Sequence, residues 1–534
     1  MGKFRTAITI GAIGAAITLL FGGWSMILVG TVVGAMTGLS YGQRSSKRGA
    51  LDKARDVLLP ALISTVIMAL GGVLYTFVIT PLTGKPLNYN QPLKFGTDRV
   101  PLDSITVFII GLVAGIVIGV VIAALIAYLQ GLPEKVRRVA FIASLIVFLF
   151  GLPFFDQVTG LDWIAAIITI QIFILLALGL NIVVGYAGLL DLGYAAFFAI
   201  GAYTTGLLSS PQINIYWNFW LVIWVAAAMA AFAGLVLGAP TLPLRGDYLA
   251  IVTLGFGEII PVVFRNLITV TLREPFTRIC FVGCDPKVDI VRWCFYACEK
   301  ALDLTAGEKG INPIGRPIIP FTDESLFSSR SYMPWYFLVF VLIILSIFFI
   351  RRLRNSRIGR AWMAIREDEL AASQMGIDPV KTKLLAFSMG ATFSGFAGAF
   401  YGAYISAIFP SVFDFSVSVI ILCMVILGGL GNMVGVIIGG ILIMGTDRLF
   451  LPQIATLLKY FMRYSVLGNI SNPVLKDFLE ISVDPNQMRL AIFGLVLVIM
   501  MIVRPEGLVP SEERRAELHE GEEEHGDAAT EAAA

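Results

Sequence analysis

Long apolar runs alternate with short charged segments along the whole chain. Most of the runs are about 17 to 25 residues long, the length that an α-helix needs to cross the roughly 30 Å hydrocarbon core of a bilayer. They lack the ten-residue alternation of apolar and polar positions that marks transmembrane β-strands. The pattern therefore predicts an all-α polytopic membrane protein with about fourteen transmembrane helices, within a range of about 12 to 16.

The first apolar run, residues 6–41, is too long for one span and contains a Gly-Gly pair at residues 22–23. We predict two short helices in a hairpin; a cleavable signal peptide is the rival interpretation. Glycines recur every four residues at Gly30, Gly34, Gly38 and Gly42 and again at Gly111, Gly115 and Gly119. Each set lies on one helix ridge and predicts close helix packing, either within the chain or against a second copy.

Composition excludes several classes of function. The chain is 57% hydrophobic and only 14% charged, whereas a soluble domain has about a quarter of its residues charged. Both histidines, His519 and His525, fall in an acidic C-terminal tail, so histidine-based catalysis, metal binding and proton relay inside the membrane are not expected. The pair Gly84-Lys85 is followed by Pro86, which does not fit a Walker A motif. We expect no catalytic residue, metal site or nucleic-acid partner, and ATP with Mg²⁺ only on a partner chain.

The most charged internal segment, residues 351–387, lies between two apolar runs and carries eight basic against four acidic residues. An excess of Lys and Arg beside membrane spans marks the cytoplasmic face. Residues 361–375 hold strong helix formers and are followed by Gly376, a favoured residue just after a helix end. We predict one short helix there, with a flat patch at Ala371 and Ala372. It is either a docking helix for another protein or an ordinary amphipathic interfacial helix.

The sequence EDELAASQMG at residues 367–376 resembles the EAA loop of ABC import permeases, which receives the ATPase. The longer run at residues 356–387 is similar, more narrowly, to the LivM-type permease of branched-chain amino acid importers. The runs at residues 179–208, 244–260, 305–315 and 425–440 also resemble signature stretches of that family. The resemblance implies that the ATPase-coupling residues are Arg366, Glu367, Asp368, Glu369, Ala371, Ala372 and Gly376.

The resemblance also implies an assembly in the plasma (inner) membrane of a prokaryote. Its partners would be a LivH-like second permease, two cytosolic ABC ATPases and an extracytoplasmic binding protein that delivers branched-chain or related amino acids. Residues 140–510 would form the permease core, with an external loop at 272–331 and the cytosolic coupling segment at 351–387. Residues 1–139 would form an extension of about four helices, and residues 511–534 a disordered acidic tail. Both termini would be cytoplasmic.

Polar groups at membrane depth are costly and are either paired or functional. Gln171 and Asn181 lie on one predicted span, and Asp191 and Glu258 lie on others. Asp191 replaces the uncharged residue expected in the family, so it either contacts substrate or pairs with the partner permease. Glycines can expose backbone groups to a zwitterionic amino acid or only permit tight packing. The candidate substrate path comprises Gly185, Gly188, Asp191, Gly193, Gly201 and Glu258.

Four of the five cysteines fall in the external loop, as two pairs that each span one helical turn. We predict disulfides from Cys280 to Cys298 and from Cys284 to Cys294, because an extracytoplasmic position permits oxidation. Other pairings and free thiols are the alternatives, and zinc is disfavoured because no histidine is near. The remaining residue, Cys423, is expected to be buried.

Two other functions compete with amino acid import. A urea or short-chain amide permease shares these motifs, and no residue here decides the cargo. An ATP-independent secondary transporter would use Asp191 and Glu258 as ion or proton sites, but it leaves the cytosolic segment unexplained.

Overall fold

The computed structural model describes residues 4–21, 25–44, 50–74, 93–95, 98–100, 104–159, 163–211, 216–241, 247–268, 304–318, 327, 331–455, 489–503 and 507–509. The chain divides into two compact units. The first unit comprises residues 1–164 and 447–488, and the second comprises residues 165–446 and 489–534. The four cysteines of the predicted disulfides and the acidic tail at 511–534 lie outside the described residues.

The first unit contains helices α1 (Arg5–Phe21), α2 (Ser25–Arg44), α3 (Ala50–Leu74), α4 (Ser104–Gln130) and α5 (Glu134–Thr159). Two strands, Leu93–Phe95 and Asp98–Val100, pair antiparallel between α3 and α4. The predicted division of the first apolar run into two helices is confirmed, because α1 ends at Phe21 and α2 begins at Ser25.

The predicted glycine ridges of α2 and α4 pack against one another. A Cβ atom on Gly30 would overlap the carbonyl group of Gly115, and one on Gly34 would overlap that of Gly119. The absence of side chains lets the two helix backbones touch, as small residues do in membrane helix pairs. At these four glycines the prediction of close packing within the chain is confirmed.

The second unit contains the remaining α-helices, which are connected in part by turns of other geometry. The helices are α6 (Ile164–Leu180, which begins at the unit boundary), α7 (Tyr194–Ser209), α8 (Phe219–Thr241), α9 (Asp247–Asn266), α10 (Tyr332–Arg354), α11 (Arg357–Glu367), α12 (Glu369–Gln374), α13 (Pro379–Ile405), α14 (Phe415–Gly428), α15 (Met433–Gly445) and α16 (Arg489–Val503). A π-helical turn, Asn181–Tyr186, extends α6. A second π-helical turn, Thr446–Phe450, begins at the last residue of this part of the second unit, and its other residues belong to the first unit. Short 3-10 helices occupy Gly307–Lys309 and Pro410–Phe413.

Nine helical stretches within the described residues are long and apolar enough to cross a membrane. They are Leu51–Leu74, Ile109–Gln130, Ile164–Tyr186, Phe219–Pro240, Tyr248–Asn266, Tyr332–Arg354, Pro379–Ile405, Pro410–Gly428 and Met433–Ala455. Shorter apolar helices run over Arg5–Leu19, Ser25–Tyr41, Ile146–Thr159, Tyr194–Ser209 and Leu490–Met500. The architecture agrees with the predicted all-α polytopic class, whereas the count of about fourteen spans stays a prediction.

Helix α13 lies at the centre of the second unit, packed against α7 and α8. A Cβ atom on Gly201 of α7 would lie 2.6 Å from the carbonyl oxygen of Gly395 on α13. The hydroxyl of Tyr194 donates a hydrogen bond of 2.9 Å to the buried carbonyl of Gly390. The run of Gly, Ala and Ser residues in α13 therefore brings helix backbones together, as is typical of packing in lipid.

Candidate functional site

The charged segment at residues 351–387 folds into two short helices between two spans. Helix α11 begins after Ser356, whose hydroxyl accepts a hydrogen bond of 3.3 Å from the amide of Gly359. Gly359 packs directly against the carbonyl groups of Leu353 and Arg354, where a side chain would not fit. Serine is a favoured N-cap residue, so the local sequence accounts for the sharp turn from α10 into α11.

The single helix predicted for residues 361–375 is interrupted at Asp368. The backbone of Asp368 is extended, with φ −148° and ψ 110°, and its carboxylate accepts hydrogen bonds from the amides of Leu370 (2.8 Å) and Ala371 (3.0 Å). Aspartate is strongly favoured at an N-cap because it satisfies amides that lack helical partners. Asp368 therefore ends α11 and starts α12, and the prediction of one continuous helix is wrong.

Gly376 ends the second short helix as predicted. Its φ is +86°, a left-handed conformation that favours glycine, and its amide donates a 3.0 Å hydrogen bond to the carbonyl of Ser373. Asp378 then caps α13 by accepting a 3.2 Å hydrogen bond from the amide of Lys381. The side chain of Lys381 also lies 3.0 Å from the same carboxylate, and these contacts lower the pKa of Asp378 from its usual range.

We expect Gly376→Ala to destabilise the turn by about 1–2 kcal/mol, because an L-residue at this φ brings its Cβ close to its own carbonyl. No other atom lies within 4 Å of the added Cβ, so the variant changes the backbone energy of the turn without adding a side-chain clash. Hydrogen–deuterium exchange of residues 368–378 should accelerate. Gly376→Asn should cost less, because asparagine tolerates left-handed backbone; an exchange rate unchanged by the alanine variant would contradict the account.

Two contacts fix the short helices to the first turns of α13. The indole N–H of the fully buried Trp362 donates a 2.7 Å hydrogen bond to the carbonyl of Thr382. The ammonium group of Lys383 lies 2.7 Å from the carboxylate of Glu369, and the Lys383 side chain is only 8% exposed. Buried charges require a partner, so this ion pair constrains α12 relative to the span. The segment is therefore able to move as one body with α13.

The outer surface of α12 differs from the predicted patch of two alanines. Ala372 is 4% exposed and faces the protein, whereas Ala371 is exposed. Two large apolar side chains that the sequence reasoning missed lie beside it in the chain: Leu370 is 65% exposed and Met375 is 84% exposed. The exposed apolar part of this segment is therefore formed by Leu370, Ala371 and Met375.

Arg366, one of the predicted ATPase-coupling residues, points into the protein. Its guanidinium donates a 2.8 Å hydrogen bond to the carbonyl of Gly185, in the π-helical turn after α6. The Arg366 side chain also covers Gly188, where a Cβ would lie 2.8 Å from Cγ of Arg366 and where φ is +70°. The structure thus joins two predicted sets, the coupling residues and the substrate-path glycines, at one point.

Asp191 lies in the loop between this turn and α7, and it is 1% exposed. One carboxylate oxygen accepts a 2.9 Å hydrogen bond from the amide of Gly193, and the second has no hydrogen bond among the described residues. The carboxylate lines a small cavity of about 20 Å³ with Thr253 and apolar side chains, room for about one water molecule. Gly193 packs directly on the carbonyl of Thr253 of α9.

The other two predicted path residues do not line this cavity. Gly201 is enclosed by α13, as described above, and Glu258 is exposed on α9. Within the described parts of the chain, no group of three or more His, Cys, Asp or Glu side chains is placed to hold a metal ion. Cys423 is buried.

The apolar helices are those of an integral membrane protein, and the comparison with known families adds the class, a transport permease. The chain belongs to the family described as permease components of branched-chain amino acid transport systems, whose model matches residues 163–501. The resemblance predicted from the sequence is therefore confirmed.

Two curated relatives are high-affinity branched-chain amino acid transport permeases named LivM. The Escherichia coli K12 protein is 36% identical over 390 residues, covering 73% of this chain and 79% of the relative. The Salmonella typhimurium LT2 protein is 33% identical over 409 residues, with the same coverage. The Salmonella typhimurium LivH permease is 29% identical over 133 residues, 25% of this chain and 42% of the relative. No solved structure matches the chain significantly.

Proposed function

We propose that the protein is the membrane permease subunit of an ABC importer that moves branched-chain or related amino acids inward. The geometry of the coupling segment supports this proposal. Its exposed apolar tip consists of Leu370, Ala371 and Met375, and its two short helices are bound to α13 by a hydrogen bond and an ion pair. Residues 140–510 would form the permease core with about fourteen spans in the whole chain, in the plasma membrane of a prokaryote, with both termini in the cytosol.

The coupling segment would receive a cytosolic ATPase that binds ATP and Mg²⁺. Its exposed apolar tip is flanked by the exposed carboxylates of Glu367 and Asp368, which form a charged rim. An apolar centre with a polar rim is the usual anatomy of a protein interface. Because Trp362 and Lys383 tie the segment to α13, a push on α12 would move that span as a rigid body.

A second, LivH-like permease is the proposed partner at α9. Only 22% of the apolar window of this helix is buried by the chain itself. Its uncovered residues include Tyr248, Ile251 and Ile259 together with the carboxylate of Glu258, and the space around Gly255 is open. An ionisable side chain facing lipid is costly, so we infer that protein covers this face. The open glycine would allow a partner helix to approach closely.

The substrate path would run beside Asp191, whose unpaired carboxylate oxygen suits the ammonium group of an amino acid. The aromatic and aliphatic side chains around the cavity, including Phe197 and Phe256, suit an apolar side chain. The cavity holds about one water molecule in this conformation, so substrate entry would require helix motion. The four glycines of the predicted path are packed closely against protein in this conformation: Gly185, Gly188, Gly193 and Gly201.

Asp191→Asn is expected to reduce amino acid uptake about tenfold, because it removes one charge from a charge-assisted contact. Asparagine keeps the oxygen that accepts from Gly193, so the loop is retained. Uptake of radiolabelled leucine by cells is the measurement, with Glu258→Gln as a second test variant and the exposed Asp414→Asn as the matched control. Uptake that survives both test changes would remove these acids from the mechanism.

The loop at residues 272–331 would meet the substrate-binding protein. Its described part, residues 304–318, is anchored by backbone hydrogen bonds from Leu304 to Leu267 (3.1 Å) and from Gly315 to Ser209 (2.7 Å). Ile311 and Ile408 pair as a short antiparallel bridge. These anchors would give residues 304–318 a fixed shape for docking, and the two disulfides remain a prediction.

Purification of the tagged chain from its native membrane tests the proposed assembly. We expect a second permease and two ATP-binding subunits to co-purify and to be identified by mass spectrometry. A chain that is recovered alone in several mild detergents, and that still moves leucine in liposomes without ATP, would refute the proposal.

A further inference from the structure

The span formed by α6 does not end as a regular helix. Its last six residues, Asn181–Tyr186, form a π-helical turn in which every residue is buried. Such turns are rare and are found frequently at functional sites. Helix interruptions at membrane depth are tolerated only where protein or a cavity satisfies the backbone. The turn is therefore a candidate moving element.

Arg366 satisfies one carbonyl of this turn from outside the span. The 2.8 Å hydrogen bond joins its guanidinium to the carbonyl oxygen of Gly185, across 181 residues of sequence. A guanidinium keeps its charge at any physiological pH, so the bond is charge-assisted and stronger than one between neutral groups. Arg354 adds a second cation near the turn, with its guanidinium carbon 5.8 Å from the ring centre of Tyr186.

Asn181 connects the same turn to a second interruption. Its side-chain oxygen accepts a 3.0 Å hydrogen bond from the amide of Gly431, in the turn between α14 and α15. That turn is built on two glycines in left-handed or related backbone, Gly429 with φ +114° and Gly431 with φ +78°. No space remains beside Gly185 for a side chain, since a Cβ there would overlap the Asn181 oxygen and lie 2.7 Å from the Gly431 nitrogen.

We propose that Arg366 is a positioning residue that transmits movement of the coupling segment to the π-helical turn, and that Asn181 passes this movement on to the turn at Gly431. Arg366 thus acts inside the permease rather than in the contact with the ATPase. This inference rests on the proposed function, because it assigns the internal route of the same ATP-driven movement. The two helix interruptions would shift together because they share Asn181 and leave no space beside Gly185.

Arg366→Ala tests the link in liposomes that contain the assembled importer. We expect the ATPases to stay bound and to hydrolyse ATP, while the amount of radiolabelled leucine taken up per ATP falls about tenfold, within the roughly 5–150-fold range of coupling between sites. Arg366→Lys keeps one cationic donor and should restore part of the leucine uptake per ATP. Arg360→Ala is the matched control, because Arg360 lies on the same helix and its side chain hydrogen-bonds the nearby carbonyl of Asn355 (3.1 Å) rather than the π-helical turn.

Three results would overturn the link. They are loss of bound ATPase in Arg366→Ala, an uptake ratio equal to that of the unmodified complex, and an equal fall in Arg360→Ala. The unmodified complex is measured before any variant. If it takes up no leucine with ATP, that result contradicts the proposed function rather than the link through Arg366.

A double-mutant cycle tests the second half of the route. Asn181→Leu removes the acceptor of the Gly431 amide and should also lower leucine uptake per ATP about tenfold. If both residues act in one route, their effects are not additive. Leucine uptake per ATP in the double variant Arg366→Ala with Asn181→Leu should then be no lower than in the more impaired of the two single variants. A fall of about 100-fold in leucine uptake per ATP in the double variant, the product of the two single effects, would show that the residues act independently and would overturn the proposal.

Discussion

Leu370→Glu combined with Met375→Glu is expected to detach the ATPase subunits and to abolish ATP-dependent uptake. The two side chains are the most exposed large apolar groups of the coupling segment, at 65% and 84%. Interface residues of this kind contribute about 2 kcal/mol or more each when they fill a partner's pocket, which corresponds to at least about 30-fold in affinity. Two buried, unpaired carboxylates would add a desolvation cost.

Titration of the purified permease complex with tagged ATPase measures this effect. Val380→Glu is a suitable control, because Val380 is 54% exposed in the first turn of α13, where an acidic side chain suits the helix dipole. The control should bind ATPase normally. ATPase binding by the double variant with unchanged affinity would show that the exposed tip is not the docking surface.

Gly201→Val is expected to destabilise the second unit by about 3 kcal/mol, the upper end for an overpacked core. The Cβ atom would lie 2.6 Å from the carbonyl oxygen and 2.7 Å from the Cα atom of Gly395. Both neighbouring atoms belong to the backbone, so no side-chain rotation relieves the overlap. Helices α7 and α13 would have to separate along their whole contact, and we expect the purified chain to melt at a clearly lower temperature in detergent.

Gly151 offers the matched control because nothing lies within 4 Å of a Cβ added there. Gly151→Ala lies inside α5 and should leave stability unchanged or raise it by up to about 1 kcal/mol, since alanine is the better helix former. Equal melting temperatures for Gly201→Val and the unmodified chain would mean that the two helices are not in the contact described.

The sequence predicted that a short helix ends at Gly376, because that feature depends on local chemistry: the left-handed turn follows from the conformational freedom of glycine. The position of the segment on the cytoplasmic face, inferred from its charge, stays a prediction. The break at Asp368 was missed although a signal was present: aspartate directly before Glu369 and Leu370 is a good N-cap. The orientation of Ala372 depends on the angle between α12 and α13, which no local pattern contains.

Long-range contacts account for the rest of the difference. Glycine spacing predicted close packing, and the ridges at Gly30 and Gly115 do meet, but it did not identify Gly395 as the neighbour of Gly201. The family resemblance places Arg366 among the ATPase-coupling residues, but it does not indicate which way the side chain points. Its actual acceptor, the Gly185 carbonyl, is a backbone atom 181 residues away in sequence, at the end of a helix where carbonyl groups lack helical partners.

We propose that this permease imports an amino acid with energy from ATP bound by partner subunits. Uptake of radiolabelled leucine is measured in liposomes that contain the purified permease complex with its ATPases and binding protein, with and without ATP. We expect uptake only when ATP and the binding protein are present, and loss of uptake in the Leu370→Glu, Met375→Glu variant. Leucine movement by the permease alone at the same rate without ATP would contradict it.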